Sequence, residues 1–135
     1  GGGGGGGGVP SAAAPAAVAD LAAQEPENDV DRFEWYRGRA EQGDADAQYN
    51  LGTCYDEGRG VEKNDEQAFL WFSRAAEQGD ADAQFSLGVC FHEGKGVEKD
   101  DAKAIELWTK AANQNNEDAQ FILGWKDAGA NEGET

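Results

Sequence analysis

Apolar side chains recur with helical spacing over most of the chain. Between residues 45 and 57 they fall at Ala47, Leu51, Cys54 and Tyr55, one stripe on a 3.6-residue period. From 65 to 78 a second stripe runs through Ala68, Trp71, Phe72, Ala75 and Ala76. Both stripes return 36 residues later, at Ala83, Leu87, Cys90 and Phe91, and at Ala104, Leu107, Trp108, Ala111 and Ala112. Residues 44–79 and 80–115 are therefore two copies of one unit, and NEDAQFILGWKDAG from Asn116 starts a third. A half copy, DVDRFEWYRGRAEQG (29–43), precedes them and matches 65–79. A fixed period of this size marks an array of two-element units. Strand-type alternation is absent, so the expected fold is all-α: an α-solenoid of antiparallel helix pairs.

The punctuation agrees with two helices per unit. Asp44, Asp80 and Asn116 stand where a first-type helix needs an N-cap, and Asn64 and Asp100 where a second-type helix does; their side-chain oxygens would satisfy orphan amides. Gly58 and Gly94 stand where a left-handed residue closes the first helix. Gly79 and Asn115 take that place after the second. GRGVEK and GKGVEK connect the pair, with Val61 and Val97 expected to plug the hairpin end. Gly52, Gly88 and Gly124 recur at one register expected in mid-helix. Glycine there costs about 1 kcal/mol against alanine, so close approach of a neighbouring helix is expected at that position, with Trp71 and Trp108 filling the opposite side. The order is a lone second-type helix (about 30–42), two pairs, and a last first-type helix (about 117–128). That is near the minimum for a stable stack.

The positions Ala47, Leu51, Gly52, Tyr55, Gly58, Gly60, Val61, Ala68, Trp71, Phe72, Ala75, Ala76 and Gly79 resemble the signature of the Sel-one-like repeat, a relative of the tetratricopeptide repeat. The second copy carries it through Ala83, Leu87, Gly88, Phe91, Gly94, Gly96, Val97, Ala104, Trp108, Ala111 and Ala112. The third departs: Asp127 stands where Tyr55 and Phe91 stand, and the Gly-x-Gly-Val connector is missing. The resemblance covers residues 29–129, between an expected Gly/Ala/Pro-rich tail (1–28) and a short C-terminal tail (130–135). It implies a superhelical adaptor that holds protein partners. Cysteine-rich relatives that bind or hydrolyse β-lactams supply an enzymatic alternative. Their intra-repeat cysteine pairs have no counterpart here.

Charge narrows the partners. The net charge is −16; Asp20, Glu25 and Glu27 lie in the first 28 residues, leaving −13 over 29–135. Such a field repels a phosphate backbone or an anionic membrane surface. It favours basic partner surfaces, and it also serves solubility. No apolar run approaches the roughly 20 residues that span a bilayer, and no signal peptide is visible. A cytoplasmic setting is the default expectation, although the chain lacks an initiator Met and so fits a processed form.

No residue constellation points to catalysis, a cofactor or a metal. Cys54 and Cys90 occupy equivalent places on successive first-type helices. Packed helices lie about 8–10 Å apart, too far for the roughly 7 Å limit between cystine Cα atoms, so both read as small buried hydrophobes. His92 lies two residues from Cys90, on a different side of the helix, and reads as a solvated helix end. Asp44/Asp46 and Asp80/Asp82 lack the twelve-residue loop of a calcium site. GRGV and GKGV lack the lysine and hydroxyl of a phosphate loop.

One set remains as a candidate partner-binding surface. Tyr49, Thr53 and Asp56 share a helical face off the core stripe; their counterparts are Phe85, Val89 and His92, then Phe121 and Trp125. If first-type helices line the concave side of the array, these eight form an aromatic ladder, and aromatic anchors are frequent hot spots. The blander reading packs Tyr49, Phe85 and Phe121 on the preceding second-type helix. Trp125, where earlier copies carry Thr53 and Val89, is either a partner anchor or a cap on the open stack. A subunit of a larger assembly, contacted through its stack ends, is the alternative to the concave-face adaptor.

Overall fold

The computed structural model describes residues 24–125, and these contain six helices and no strand. They are α1 (Asp29–Glu41), α2 (Ala45–Glu57), α3 (Asp65–Glu77), α4 (Ala81–Glu93), α5 (Asp101–Asn113) and α6 (Glu117–Ile122). Each packs on the next in chain order, giving a one-dimensional stack. First-type helices (α2, α4, α6) alternate with second-type helices (α1, α3, α5). The expected tails fall outside the described residues, apart from 24–28. Of that stretch, Glu25 accepts from the Tyr36 hydroxyl (2.7 Å) and pairs with Arg32 (3.0 Å).

Capping sets the helix starts. Asp44, Asn64, Asp80, Asp100 and Asn116 each accept a hydrogen bond from the backbone N–H three residues on, as does Asn28 for α1. Gly58 and Gly94 close α2 and α4 with φ of 71°. Gly60 and Gly96 also have positive φ, and a Cβ on either would collide with the carbonyl oxygen of Asp29 or Asp65. The Gly-x-Gly-Val connector therefore lies against the first residue of the preceding second-type helix, with Val61 and Val97 on the core.

The core forms where a second-type helix meets the next first-type helix. Phe33, Tyr36 and Ala40 pack with Ala47, Leu51 and Cys54; Ala68, Phe72, Ala75 and Ala76 pack with Ala83, Leu87 and Cys90. Alanines at these junctions are nearly inaccessible, which lets backbones approach closely. Within each pair, glycine does the same: a Cβ on Gly52 would lie 2.7 Å from the Phe72 ring, and one on Gly88 would overlap the Trp108 indole. Trp71 was expected to share the role of Trp108; it instead fills the first core cluster, because Phe72, not Trp71, stands one repeat before Trp108.

A ladder of glutamines runs alongside. Gln48 donates to the Ala40 carbonyl (3.1 Å) and accepts from Gln78 (2.8 Å). Gln84 repeats this with Ala76 (3.5 Å) and Gln114 (2.9 Å). Each adds a side-chain hydrogen bond to a carbonyl at a helix C-terminus that already accepts from the turn amide of Gly43 or Gly79, and ties three helices together. Gln120 donates to Ala112 (3.0 Å).

The last helix departs from expectation. It ends at Ile122 rather than near 128, and Gly124, expected in mid-helix, has φ of +82°. Gly52 and Gly88 are each covered by a ring of the next second-type helix. Nothing lies within 4 Å of a Cβ built on Gly124, so no packing holds that turn helical against the cost of glycine.

Candidate functional site

The face lined by α2 and α4 carries a groove of about 210 Å³. Tyr49, Thr53, Asp56 and Glu57 contribute from α2, and Phe85, Ser86, Val89 and Cys90 from α4. Phe72 lies between them, and Lys95 reaches in from the connector. The repeat explains the floor. First-type helices do not touch each other closely, since each packs on the second-type helices either side, and the buried Phe72 ring floors the gap.

Five of the eight ladder residues meet here: Tyr49, Thr53, Asp56, Phe85 and Val89. The Tyr49 ring lies 5.8 Å from that of Phe72, and Phe85 lies 6.4 Å from Trp108. Both rings thus pack on the following second-type helix, not the preceding one as the blander reading had it, and both still line or border the groove. Thr53 donates to the Tyr49 carbonyl (3.2 Å). Asp56 pairs with Lys95 at 2.5 Å, joining the end of α2 to the connector of the next repeat. That bond raises the Lys95 pKa above its ordinary value. Burial raises the Tyr49 phenol.

The other three lie elsewhere. His92 is exposed, bonds Asp101 (2.8 Å) and borders Trp108. Phe121 and Trp125 are exposed at the end of the stack.

The same groove recurs one repeat earlier in a smaller form, about 80 Å³, among Tyr36, Asn50, Thr53, Cys54 and Arg59 with Asp29 and Arg32. Thr53 lines both, so the trough is continuous. Asn50, Ser86, Arg59 and Lys95 were not singled out from sequence. Their repeat register is visible there, but helical pattern alone does not separate a groove wall from a solvated face.

Both cysteines are free and buried. Burial pushes the Cys90 thiol up to about 11 and raises that of Cys54, so neither offers a thiolate at neutral pH. Among the described residues no three metal-ligating side chains cluster. Asp44 and Asp80 are spent as caps. No described helix is long and apolar enough to cross a membrane.

Comparison with known proteins matches the Sel1 repeat family model at residues 45–80 and 81–116. No curated protein matches in sequence. Among solved structures, the chain is similar to a protective antigen of uropathogenic Escherichia coli strains that displays an SLR fold (39% identity, TM-score 0.71). That match covers 74% of this chain and 21% of the antigen. A Sel1 repeat protein from Oxalobacter formigenes is 38% identical with a TM-score of 0.68, covering 72% of this chain and 39% of that one. Cysteine-rich protein B of Helicobacter pylori is 29% identical with a TM-score of 0.66, covering 71% and 72%. The chain thus spans only a fifth and two fifths of the first two.

Proposed function

The chain belongs to the Sel1 repeat family, whose members generally serve as protein-interaction scaffolds, and from that premise we propose that it seats a segment of a partner protein in the trough along α2 and α4. The observation that carries this is the α2–α4 groove itself. Half-buried rings of Tyr49 and Phe85 and the side chain of Val89 surround about 210 Å³ of open space, with Asp56, Glu57 and Lys95 at the rim. Apolar anchors inside a polar rim are the anatomy of a protein interface. The acidic rim and the net charge of −16 favour a partner that flanks its apolar anchor with basic residues. Catalysis has no part in this reading, and no nitrocefin turnover is expected.

The test is quantitative capture of partners from native extract, comparing the unaltered chain with Ser86→Arg/Val89→Glu. Both sites are half-exposed walls, so helicity by circular dichroism should be unchanged. A partner lost with the double variant supports the groove. A partner held equally by both overturns it.

A second reading, a subunit contacted through a stack end, is favoured by one observation. Of the six large apolar side chains that are exposed among the described residues, four (Ile105, Phe121, Ile122 and Trp125) lie in the last two helices or just after them, Val30 lies at the other end in α1, and Leu70 lies in α3.

A further inference from the structure

The second-type helices carry a hollow of their own, which shares no lining residue with the α2–α4 groove. A space of about 220 Å³ adjoins one of about 180 Å³, and Leu87, Phe91, Leu107 and Lys110 wall both. Phe69 of α3 closes the far side and meets the Phe91 ring edge-on at 5.5 Å. The repeat shows what this place holds elsewhere. Trp35, Trp71 and Leu107 share one register, 36 residues apart. At the first two an indole sits there under a guanidinium: Arg39 lies 4.3 Å from the Trp35 ring centroid, and Arg74 lies 4.6 Å from that of Trp71. Trp71 is buried and fills the core cluster it shares with α1 and α2. At the third the indole is replaced by the smaller Leu107, while the cation stays, because Lys110 takes the register of Arg74. Lys103 stands on the same rim, 5.9 Å from the Phe91 ring. Arg32, Arg37, Arg59, Lys63, Lys95 and Lys99 are all held by carboxylates. Neither lysine at the hollow forms an ion pair among the described residues, although Glu77 and Glu106 also line it.

We propose that this hollow docks a tryptophan side chain presented by a segment of another protein. The incoming indole completes at Leu107 the ring-under-cation arrangement that Trp35 and Trp71 build from within the chain. A cation prefers the face of an indole to any other side chain, and a tryptophan seated in a pocket is a frequent centre of interface energy. The chain does not supply this ring itself. Trp35, Trp71 and Trp108 are packed in the core clusters, and residues 1–23 and 126–135 contain no aromatic residue. Helices added before α1 or after α6 would pack on those helices, as each helix packs on its chain neighbours, and would leave the α3–α5 side open. The exposed Trp125 of a second copy is the weaker source, because two chains of net charge −16 repel each other.

The probe is the blocked tripeptide acetyl-Gly-Trp-Gly-amide, titrated into the full chain and followed by amide NMR shifts, with acetyl-Gly-Leu-Gly-amide as its aliphatic counterpart. The expected result is saturable shifts at Leu87, Phe91, Leu107 and Lys110, with a Kd on the order of 1–10 mM for one docked indole. The leucine tripeptide should bind about 3- to 10-fold more weakly, and Lys110→Gln should weaken the tryptophan tripeptide about 2- to 5-fold. Leu107→Trp restores the residue of the preceding repeat, fills the hollow from within and should abolish the shifts with helicity retained. Should that variant lose helicity, the exposed Lys110 decides: an unchanged affinity in Lys110→Gln overturns the proposal. Equal binding of the two tripeptides overturns it, as does failure to saturate above the stated range. So do shifts confined to the α2–α4 groove, or hollow shifts that survive in a helical Leu107→Trp. Sedimentation velocity separates the two sources of the ring. A dimer of the unaltered chain that both Trp125→Ser and Leu107→Trp remove assigns the hollow to a second copy and overturns the partner protein; a monomer supports it.

Discussion

Replacing Gly88 by alanine adds one methyl group where the Trp108 indole already rests on the α4 backbone. An ideal Cβ there falls 2.6 Å from Trp108 Cδ1 and 3.1 Å from Cε2, and closer still to Nε1. The ring is buried and cannot swing aside without uncovering the third core cluster. Moving it also weakens the bond its Nε1–H donates to the Phe85 carbonyl (3.1 Å). Three effects compete. Removing a mid-helix glycine stabilises by about 0.5–1 kcal/mol, overpacking costs about 1–3 kcal/mol, and the lost hydrogen bond costs about 0.5–1.5 kcal/mol. Packing wins, with a net destabilisation of about 2 kcal/mol. Gly38→Ala in α1 is the control, because nothing lies within 4 Å of its added Cβ; propensity acts alone there and stability should rise by up to about 1 kcal/mol. Urea unfolding by circular dichroism reads both as midpoint shifts at constant slope. Should Gly88→Ala stabilise as Gly38→Ala does, the close-approach account of the recurrent glycine is wrong.

Gln114→Ala leaves the buried Gln84 Oε1 without its donor and should cost about 1–3 kcal/mol; a melting point unchanged from that of the unaltered chain would dismiss the ladder. Burial holds the Cys90 thiol at about 11 against an ordinary value of 9.0. Its folded pKa is raised, so its contribution is complete below pH 9 and is lost between pH 9 and 11, on the order of 2 kcal/mol; denaturation at stepped pH should show a shallower decline for Cys90→Ala. Tyr36, pushed up to about 12 by burial and by its bond to Glu25, extends the decline above pH 10. Asp56→Asn should cost about 0.5–1 kcal/mol at low ionic strength, since the Lys95 pair is partly exposed; a loss that does not shrink in 1 M salt would contradict an ion-pair origin.

Most of the fold was legible because the chain states each rule twice. Asp44 and Asp80 identify each other as caps, and Gly58 with Gly94 marks a left-handed closure that either alone would leave ambiguous. The glutamine ladder was equally repeated, at Gln48, Gln84 and Gln120, yet it went unread. A polar residue beside an alanine stripe has the pattern of a solvated position, and its burial depends on three helices meeting at one end. The partners of Tyr49 and Phe85 were misplaced for a related reason: periodicity says that a ring faces a neighbour, not which of two. The early stop of α6 was hidden because glycine at that register is helical where a ring covers it, as at Gly52 and Gly88, and no ring covers Gly124 among the described residues.

What the fold demands and what it leaves open divide along this register. Alanine at 40, 76 and 112 and glutamine at 48, 84 and 120 do not vary between copies, because each packs or bonds identically. The trough positions do vary. Asn50, Ser86 and Ile122 share one place, as do Thr53, Val89 and Trp125. In sequence they run from polar near α1 through mixed at the α2–α4 groove to apolar after it, although the last helix ends at Ile122 and so does not carry Trp125 as α2 and α4 carry Thr53 and Val89. Packing does not require the change from Asn50 and Thr53 to Ser86 and Val89, since α2 and α4 share one scaffold. That change fits the proposed partner segment, read along the trough by polar contacts beside Asn50 and Thr53 and by an apolar anchor beside Val89.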